Sequence, residues 1–199
     1  GARPEFESFR FELWKDLVEN NWEFDFIGTR SDGASYSDVN GQEFDIDHEG
    51  RGGWTSGQIL DGLEAWLEET GQPDIVLFSS PGGNDALTGL PYDDTIENIN
   101  SIIDLLQTNN PNVIIIVERL APGRSDIMTG ELANYFGRIQ EELFEISTTQ
   151  SNSNSMVIPV DMFTGFSDAL LADDVHYNEE GAEFIATRYY EVLEPLLEK

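Results

Sequence analysis

Two short runs, Ile75–Phe78 and Val113–Val117, are apolar at every position. A strand with one wet face alternates polar and apolar residues, so unbroken runs of this length fit parallel strands covered on both faces. Parallel strands need long crossovers, and the residues between these two carry Ile96, Ile99, Ile103 and Leu106 at helical spacing. Downstream, Leu132, Tyr135, Phe136, Ile139 and Leu143 predict another helix, and Ser147–Ser155 reads as a polar surface loop. Met156–Val160 then reads as a strand, which Pro159 places at a sheet edge because it has no N–H for a central ladder. A last helix from about Glu179 is expected to bury Phe184, Ile185, Tyr189, Val192 and Leu193. Upstream, Phe6, Phe9, Leu13 and Leu17, with Trp14, mark a helix. Trp22–Ile27 alternates, with Trp22, Phe24 and Phe26 on one face, as in a strand with a wet face or edge. Thr55 followed by Gln58 is a capping-box signature ahead of Ile59, Leu60, Leu63, Trp66 and Leu67.

The order of elements is that of an α/β chain, and 199 residues without an internal repeat or a linker predict a single domain over 1–199. The expected architecture is a three-layer α/β/α sandwich on a flavodoxin-like parallel sheet of order 2-1-3-4-5. The rim strands of that order are the second and fifth, which are the two that read as edges here. Its first strand has no counterpart, so Ile75–Phe78 would present an unpaired apolar edge, which native sheets avoid. The expectation is therefore that one central strand is missing. A rearranged four-stranded sheet is the alternative.

Composition excludes several functions. The chain has 39 acidic and 10 basic residues, a formal net charge of −29, and no cysteine. So negative a surface repels phosphate backbones and anionic membranes, so nucleic acid is not an expected partner. Without cysteine there is no disulfide, thiol nucleophile or Cys-based zinc site. No apolar stretch is long enough to span a membrane, the first residues show no signal-peptide pattern, and no membrane insertion is expected. Only Lys15 and Lys199 are lysines. An acid-rich, lysine-poor surface suits saline or calcium-rich surroundings, so a soluble, secreted or extracellular protein is expected, an ordinary acidic bacterial domain being the other reading. Oligomeric state is not legible.

In open parallel sheets ligands bind beyond the carboxyl ends of the strands. After Phe78 comes Ser79-Ser80-Pro81-Gly82-Gly83-Asn84-Asp85, where paired glycines let the backbone approach a ligand and Asn84 offers an amide donor or serves as a turn residue. After Val160 the chain reaches Asp173-Asp174-Val175-His176. A carboxylate three residues before a histidine can accept its Nδ1–H and leave Nε2 as the base, although a plain surface histidine has the same spacing. A third long loop holds His48-Glu49-Gly50-Arg51-Gly52-Gly53-Trp54-Thr55.

At these residues the chain resembles the SGNH (GDSL-type) hydrolase family of esterases and lipases. That family's Gly-x-Asn-Asp block matches Gly82-Gly83-Asn84-Asp85, and its Asp-x-x-His block matches Asp173-Asp174-Val175-His176. The resemblance implies a serine esterase with His176 as base, Asp173 as its orienting acid, and Gly53 and Asn84 as oxyanion-hole donors; Gly50 and Gly52 stand close to Gly53, and a plain turn is the other reading of all three glycines. It implies no metal or organic cofactor, and a small-molecule or carbohydrate ester as substrate. Around Phe9–Trp14 and His48–Thr55 the chain looks most like the branch of acetyl-xylan-type carbohydrate esterases. The block carrying the nucleophilic serine, Gly-Asp-Ser-Leu/Ile at the end of the first strand, is expected upstream of Gly1, so the chain by itself is expected to be inactive. A non-catalytic carbohydrate-binding or adhesion module on the same fold, or a lipase or thioesterase of the family, are the alternatives.

Other residues invite chemistry with less support. Ser167 sits in Gly165-Phe166-Ser167-Asp168-Ala169, an approximate nucleophile elbow, but not between a strand and a long helix. Ser79 and Ser80 end a strand. Arg119 and Arg124 either contact substrate oxygens or pair with carboxylates. Asp45, Asp47 and Glu49 could hold calcium through hard oxygens, but lack the pattern of an EF-hand loop, and a solvated acidic loop is the plainer reading. His48 beside them reads as structural.

Overall fold

The computed structural model describes residues 8–197. Phe6, expected on the first helix, and Gly1-Ala2-Arg3-Pro4 lie outside the described residues. The described chain divides into two compact units, one of residues 8–49, 123–127 and 165–197, the other of 50–122 and 128–164.

The second unit contains the parallel sheet. Its elements are α2 (Ser56–Thr70), β3 (Ile75–Phe78), α3 (Gly83–Thr88), α4 (Tyr92–Asn109), β4 (Ile114–Arg119), α5 (Gly130–Gln150) and β5 (Val157–Asp161). The strands lie in the order β3-β4-β5. Ile75 to Phe78 run beside Ile114 to Val117, and Ile115 to Arg119 beside Val157 to Asp161, all parallel. Ile115 and Ile116 point to opposite faces, yet both are fully buried, as their unbroken apolar run predicts. Ile115 and Val117 enter a core with Leu63 and Leu67 of α2, Ile99, Ile103 and Leu106 of α4, and Ile139 and Leu143 of α5. Pro159 stands opposite Val117 on an edge strand, as expected. At the other rim, β3 has β4 on one side and, among the described residues, no strand on the other. All four of its residues are only half-buried.

The expected loop over Ser147–Ser155 begins later, because α5 runs on to Gln150. The hydroxyls of Ser147, Thr148 and Thr149 bond back to the carbonyls of Phe144 and Glu145, so polar side chains continue the helix. Ser155 is fully buried, its hydroxyl donating to the Val113 carbonyl at 2.6 Å.

The first unit contains α1 (Phe9–Glu19), the short antiparallel pair β1 (Arg30–Ser31) and β2 (Asp47–His48), and α6 (Glu179–Leu193). α1 packs on α6, with Phe9 stacked on Tyr189 at 5.6 Å between ring centroids. Phe11, Trp14 and Val18 form a hydrophobic cluster with Phe24, Phe26, Tyr36 and Phe44. Trp22–Ile27, expected as a strand, is extended chain without a ladder. The alternation is present, with Glu23 and Asp25 exposed and Trp22, Phe24 and Phe26 half-buried. A strand also needs a backbone partner, and the Phe26 N–H goes instead to the Asp45 carboxylate at 2.8 Å.

Candidate active site

The sequence-predicted site residues divide between the units: Asp173 and His176 in the first, Gly53 and Asn84 in the second. In the first, a short 3-10 helix, Asp168–Leu170, leads into a tight reversal before α6. Leu171 bridges Tyr177, the Ala172 N–H donates to the His176 carbonyl at 2.8 Å, and the Asn178 N–H donates to that of Leu170 at 3.0 Å. Asn178 then caps α6, its Oδ1 accepting the Gly181 N–H at 2.9 Å.

Asp173 sits inside this turn. Its Oδ1 accepts the N–H groups of Val175 at 2.9 Å and His176 at 2.8 Å, while its Oδ2 lies 2.9 Å from His176 Nδ1. Those two backbone donors, and after them the imidazole, pull the Asp173 carboxyl down to about 2. An ionised acceptor on Nδ1 favours the tautomer protonated there, which makes Nε2 the basic nitrogen.

The turn is braced by residues 123–127 of the same unit. The Arg124 N–H donates to the Asp174 carbonyl at 2.8 Å, its Nη2 pairs with Asp174 Oδ1 at 2.7 Å, and its Nε with Asp126 at 2.6 Å. Ser125 donates its N–H and hydroxyl to the two oxygens of Asp168, at 2.9 and 2.6 Å. Arg119, in the other unit, lies 3.6 Å from Asp161. Of the two readings open for these arginines, the structure therefore displays the carboxylate pairs. The sequence offered no sign that Arg124 would brace the turn, since its partner lies fifty positions away.

In the second unit, the Asn84 side-chain amide donates to the Trp54 carbonyl at 2.8 Å, bringing Asn84 beside the Gly53-Trp54 peptide. An amide has two N–H bonds, so this contact orients Asn84 while leaving the other donor to a ligand. Gly53 has φ +80°, a left-handed conformation that favours glycine, and no atom lies within 4 Å of where a Cβ would stand. Among the described residues its N–H donates to no acceptor. Gly82 is required twice over, since φ is +74° and a Cβ would lie 2.8 Å from Thr95 Cγ2 and 2.9 Å from Ile139 Cδ1.

Asp85, the last residue of the Gly-x-Asn-Asp block, anchors this half. It is 1 % exposed and accepts the Ser56 N–H at 2.8 Å, the Ser56 hydroxyl at 2.6 Å and the Thr95 hydroxyl at 3.3 Å. It thus fixes the start of α2, and with it the Gly53-Trp54 peptide, against the helix carrying Asn84. Another buried carboxylate, Glu118, accepts the Ser80 N–H at 3.2 Å, where Ser80 has φ +48°.

Ser167 lies in extended backbone six residues beyond the end of β5, without the strained strand-to-helix turn of a nucleophile elbow. Ser79 and Ser80 are exposed at the end of β3. Asp45 and Glu49 spend their carboxylates on the N–H groups of Phe26 and Thr29. Among the described residues no group of three or more potential ligands is placed to hold a metal. His48 is half-buried, and burial, with Arg10 next, lowers its pKa.

Several solved structures are similar to this chain. A carbohydrate esterase family 3 protein from Talaromyces cellulolyticus is 25% identical with a TM-score of 0.84, over 96% of this chain and 91% of that one. An acetyl esterase mutant with acetate ion is 26% identical with a TM-score of 0.83, over 96% and 91%. A family 3 carbohydrate esterase from Clostridium thermocellum is 27% identical with a TM-score of 0.75, over 96% and 89%. No curated protein matches the chain. Residues 26–184, which include Gly53, Asn84, Asp173 and His176, match the model of the GDSL-like lipase/acylhydrolase family, and the chain belongs to that family.

Proposed function

We propose that this chain is the body of a serine esterase that hydrolyses ester-linked acyl groups, acetyl groups on carbohydrate in particular. One observation carries the reading: the Asp173 carboxylate, itself fixed by two backbone N–H groups, lies 2.9 Å from His176 Nδ1. A histidine so oriented is half of a machine for activating a hydroxyl. The similarity to an acetyl esterase and to family 3 carbohydrate esterases supports the acetyl-carbohydrate substrate.

In the proposed reaction a serine hydroxyl attacks the ester carbonyl carbon while His176 Nε2 takes its proton. The carbonyl π pair moves onto oxygen, and that oxyanion is held by the Gly53 N–H, the Asn84 amide and the serine's own N–H. Loss of one such donor costs roughly 10²–10³ in rate. The intermediate collapses as His176 protonates the departing alcohol. Water, deprotonated by the same imidazole, then attacks the acyl-serine and releases the acid and the free serine. The edge of β3 that has no neighbouring strand among the described residues is where we propose the strand carrying that serine, ahead of Gly1 in the chain.

A fluorophosphonate probe tests the assignment. Residues 1–199 alone remain unlabelled, the protein extended by its native upstream segment is labelled, and His176→Ala in the extended form abolishes labelling. Absence of labelling in every form overturns the esterase reading. Faster hydrolysis of long-chain than of acetyl p-nitrophenyl esters overturns the carbohydrate part and favours a lipase or thioesterase.

A further inference from the structure

Trp54 directly follows Gly53, and its own carbonyl holds the Asn84 side chain. The residue is 39 % exposed. The ring nevertheless has aromatic support: Trp66 lies 5.8 Å away between centroids at an interplanar angle of 56°. The Arg51 guanidinium sits 4.1 Å from the centre of the Trp66 ring and 5.4 Å from that of Trp54. Trp66 in turn packs on the core of α2 and α4. An indole that is both held and exposed has paid its ordering entropy without burying its surface, an arrangement found where aromatic rings meet ligands.

The surroundings specify the ligand. Leu87, also exposed at 41 %, stands three residues after Asn84 on the same face of α3, so both segments bearing the oxyanion donors offer apolar surface. Nothing lies within 4 Å of where Cβ atoms of Gly52 and Gly53 would be, so the backbone leading into Trp54 is uncovered. A long acyl chain needs an enclosed apolar channel, whereas a single open indole matches a flat ring with one C–H face and polar edges. The net charge of −29 opposes polyanionic ligands at long range, although the Arg51 guanidinium beside the Trp54 ring is a local cation.

We infer that Trp54 is a stacking platform for a pyranose ring of a neutral polysaccharide, holding an acylated sugar beside Gly53 and Asn84. The inference rests on the proposed esterase reading for the scissile ester, but not for the stacking itself. Titration of the full chain with partly acetylated xylotetraose, followed by the indole Nε1–H signals in ¹H–¹⁵N NMR, tests it. The signal lost in Trp54→Phe identifies Trp54. That signal is expected to shift saturably, Trp54→Ala to weaken binding at least about tenfold, and Trp54→Phe to bind between the two. Tetragalacturonate is expected to bind more weakly than xylotetraose.

Shifts confined to the other three indoles, or unchanged affinity in Trp54→Ala, overturn the platform, as does tighter binding of tetragalacturonate. Were Trp54→Ala to unfold, the wild-type shifts and Trp54→Phe would still decide. Xylotetraose binding without fluorophosphonate labelling in any form rejects the esterase and keeps the platform. Labelling without Trp54-dependent binding does the reverse.

Discussion

The Asp173 carboxylate owes its acidity first to the N–H groups of Val175 and His176 and only then to the imidazole. Backbone donors fixed by the turn stay in place when a side chain is removed. A ¹³C titration is therefore expected to find the Asp173 midpoint near 2, and in His176→Ala still well below the ordinary value of about 3.9. Return to the ordinary value would show that the imidazole sets the acidity. Because the native value is depressed, ionised Asp173 stabilises the turn above pH ~4, and that contribution is lost as pH falls through about 2. The proposed chemistry gives a second expectation at this scale. In a form that labels with fluorophosphonate, Asn84→Ala is expected to lower kcat by roughly 10²–10³ with a smaller change in KM, because the donor acts on charge that develops during reaction. An effect confined to KM would place Asn84 in ground-state binding instead.

Between elements, Asp85 ties α3 to α2 through Ser56 and to α4 through Thr95. The Ser56 N–H is among the first amides of α2, which the helix cannot satisfy itself, and a carboxylate there also faces the positive end of the helix dipole. Asp85→Ala leaves that N–H and the Ser56 hydroxyl without their acceptor in a buried site, at an expected cost of about 2–4 kcal/mol. Urea denaturation should show a lower midpoint with an unchanged m-value. A midpoint within about 0.5 kcal/mol of wild type would mean that water replaces the carboxylate. Contacts of this kind separate what was legible in the sequence from what was not. The capping box of Thr55 and Gln58 was readable because both partners lie within three residues. The runs at β3 and β4 were readable because burial on both faces needs no partner's identity. The Asp173–His176 pair was readable for its local spacing, whereas the Arg124 brace and the Asp85 anchor depend on residues far along the chain. Trp22–Ile27 kept its alternation but formed no strand, because a ladder belongs to two segments and only one of them can be read there.

Over the whole molecule, 39 acidic residues against 10 basic ones must repel one another in the folded state more than in an expanded chain. The ion pairs described are few, and several, such as Arg124 with Asp126 and Asp174, lie at the surface. Added salt should therefore stabilise the fold. The Debye length falls from about 10 Å at 0.1 M to about 3 Å at 1 M, enough to screen most pairs of surface charges. A gain of about 2 kcal/mol would raise Tm by roughly 4–8 °C for a chain of this size. Salting-out of apolar surface also raises Tm, and pH separates the two causes. Near the isoelectric point, about 4.1, the net charge vanishes. Screening then has little left to act on, whereas apolar burial is unchanged. The rise in Tm between 0.05 and 1 M NaCl is accordingly expected to be large at pH 7 and to shrink severalfold at pH 4.5. An equal rise at both pH values would assign the effect to apolar burial and remove charge repulsion from the account of this fold's stability.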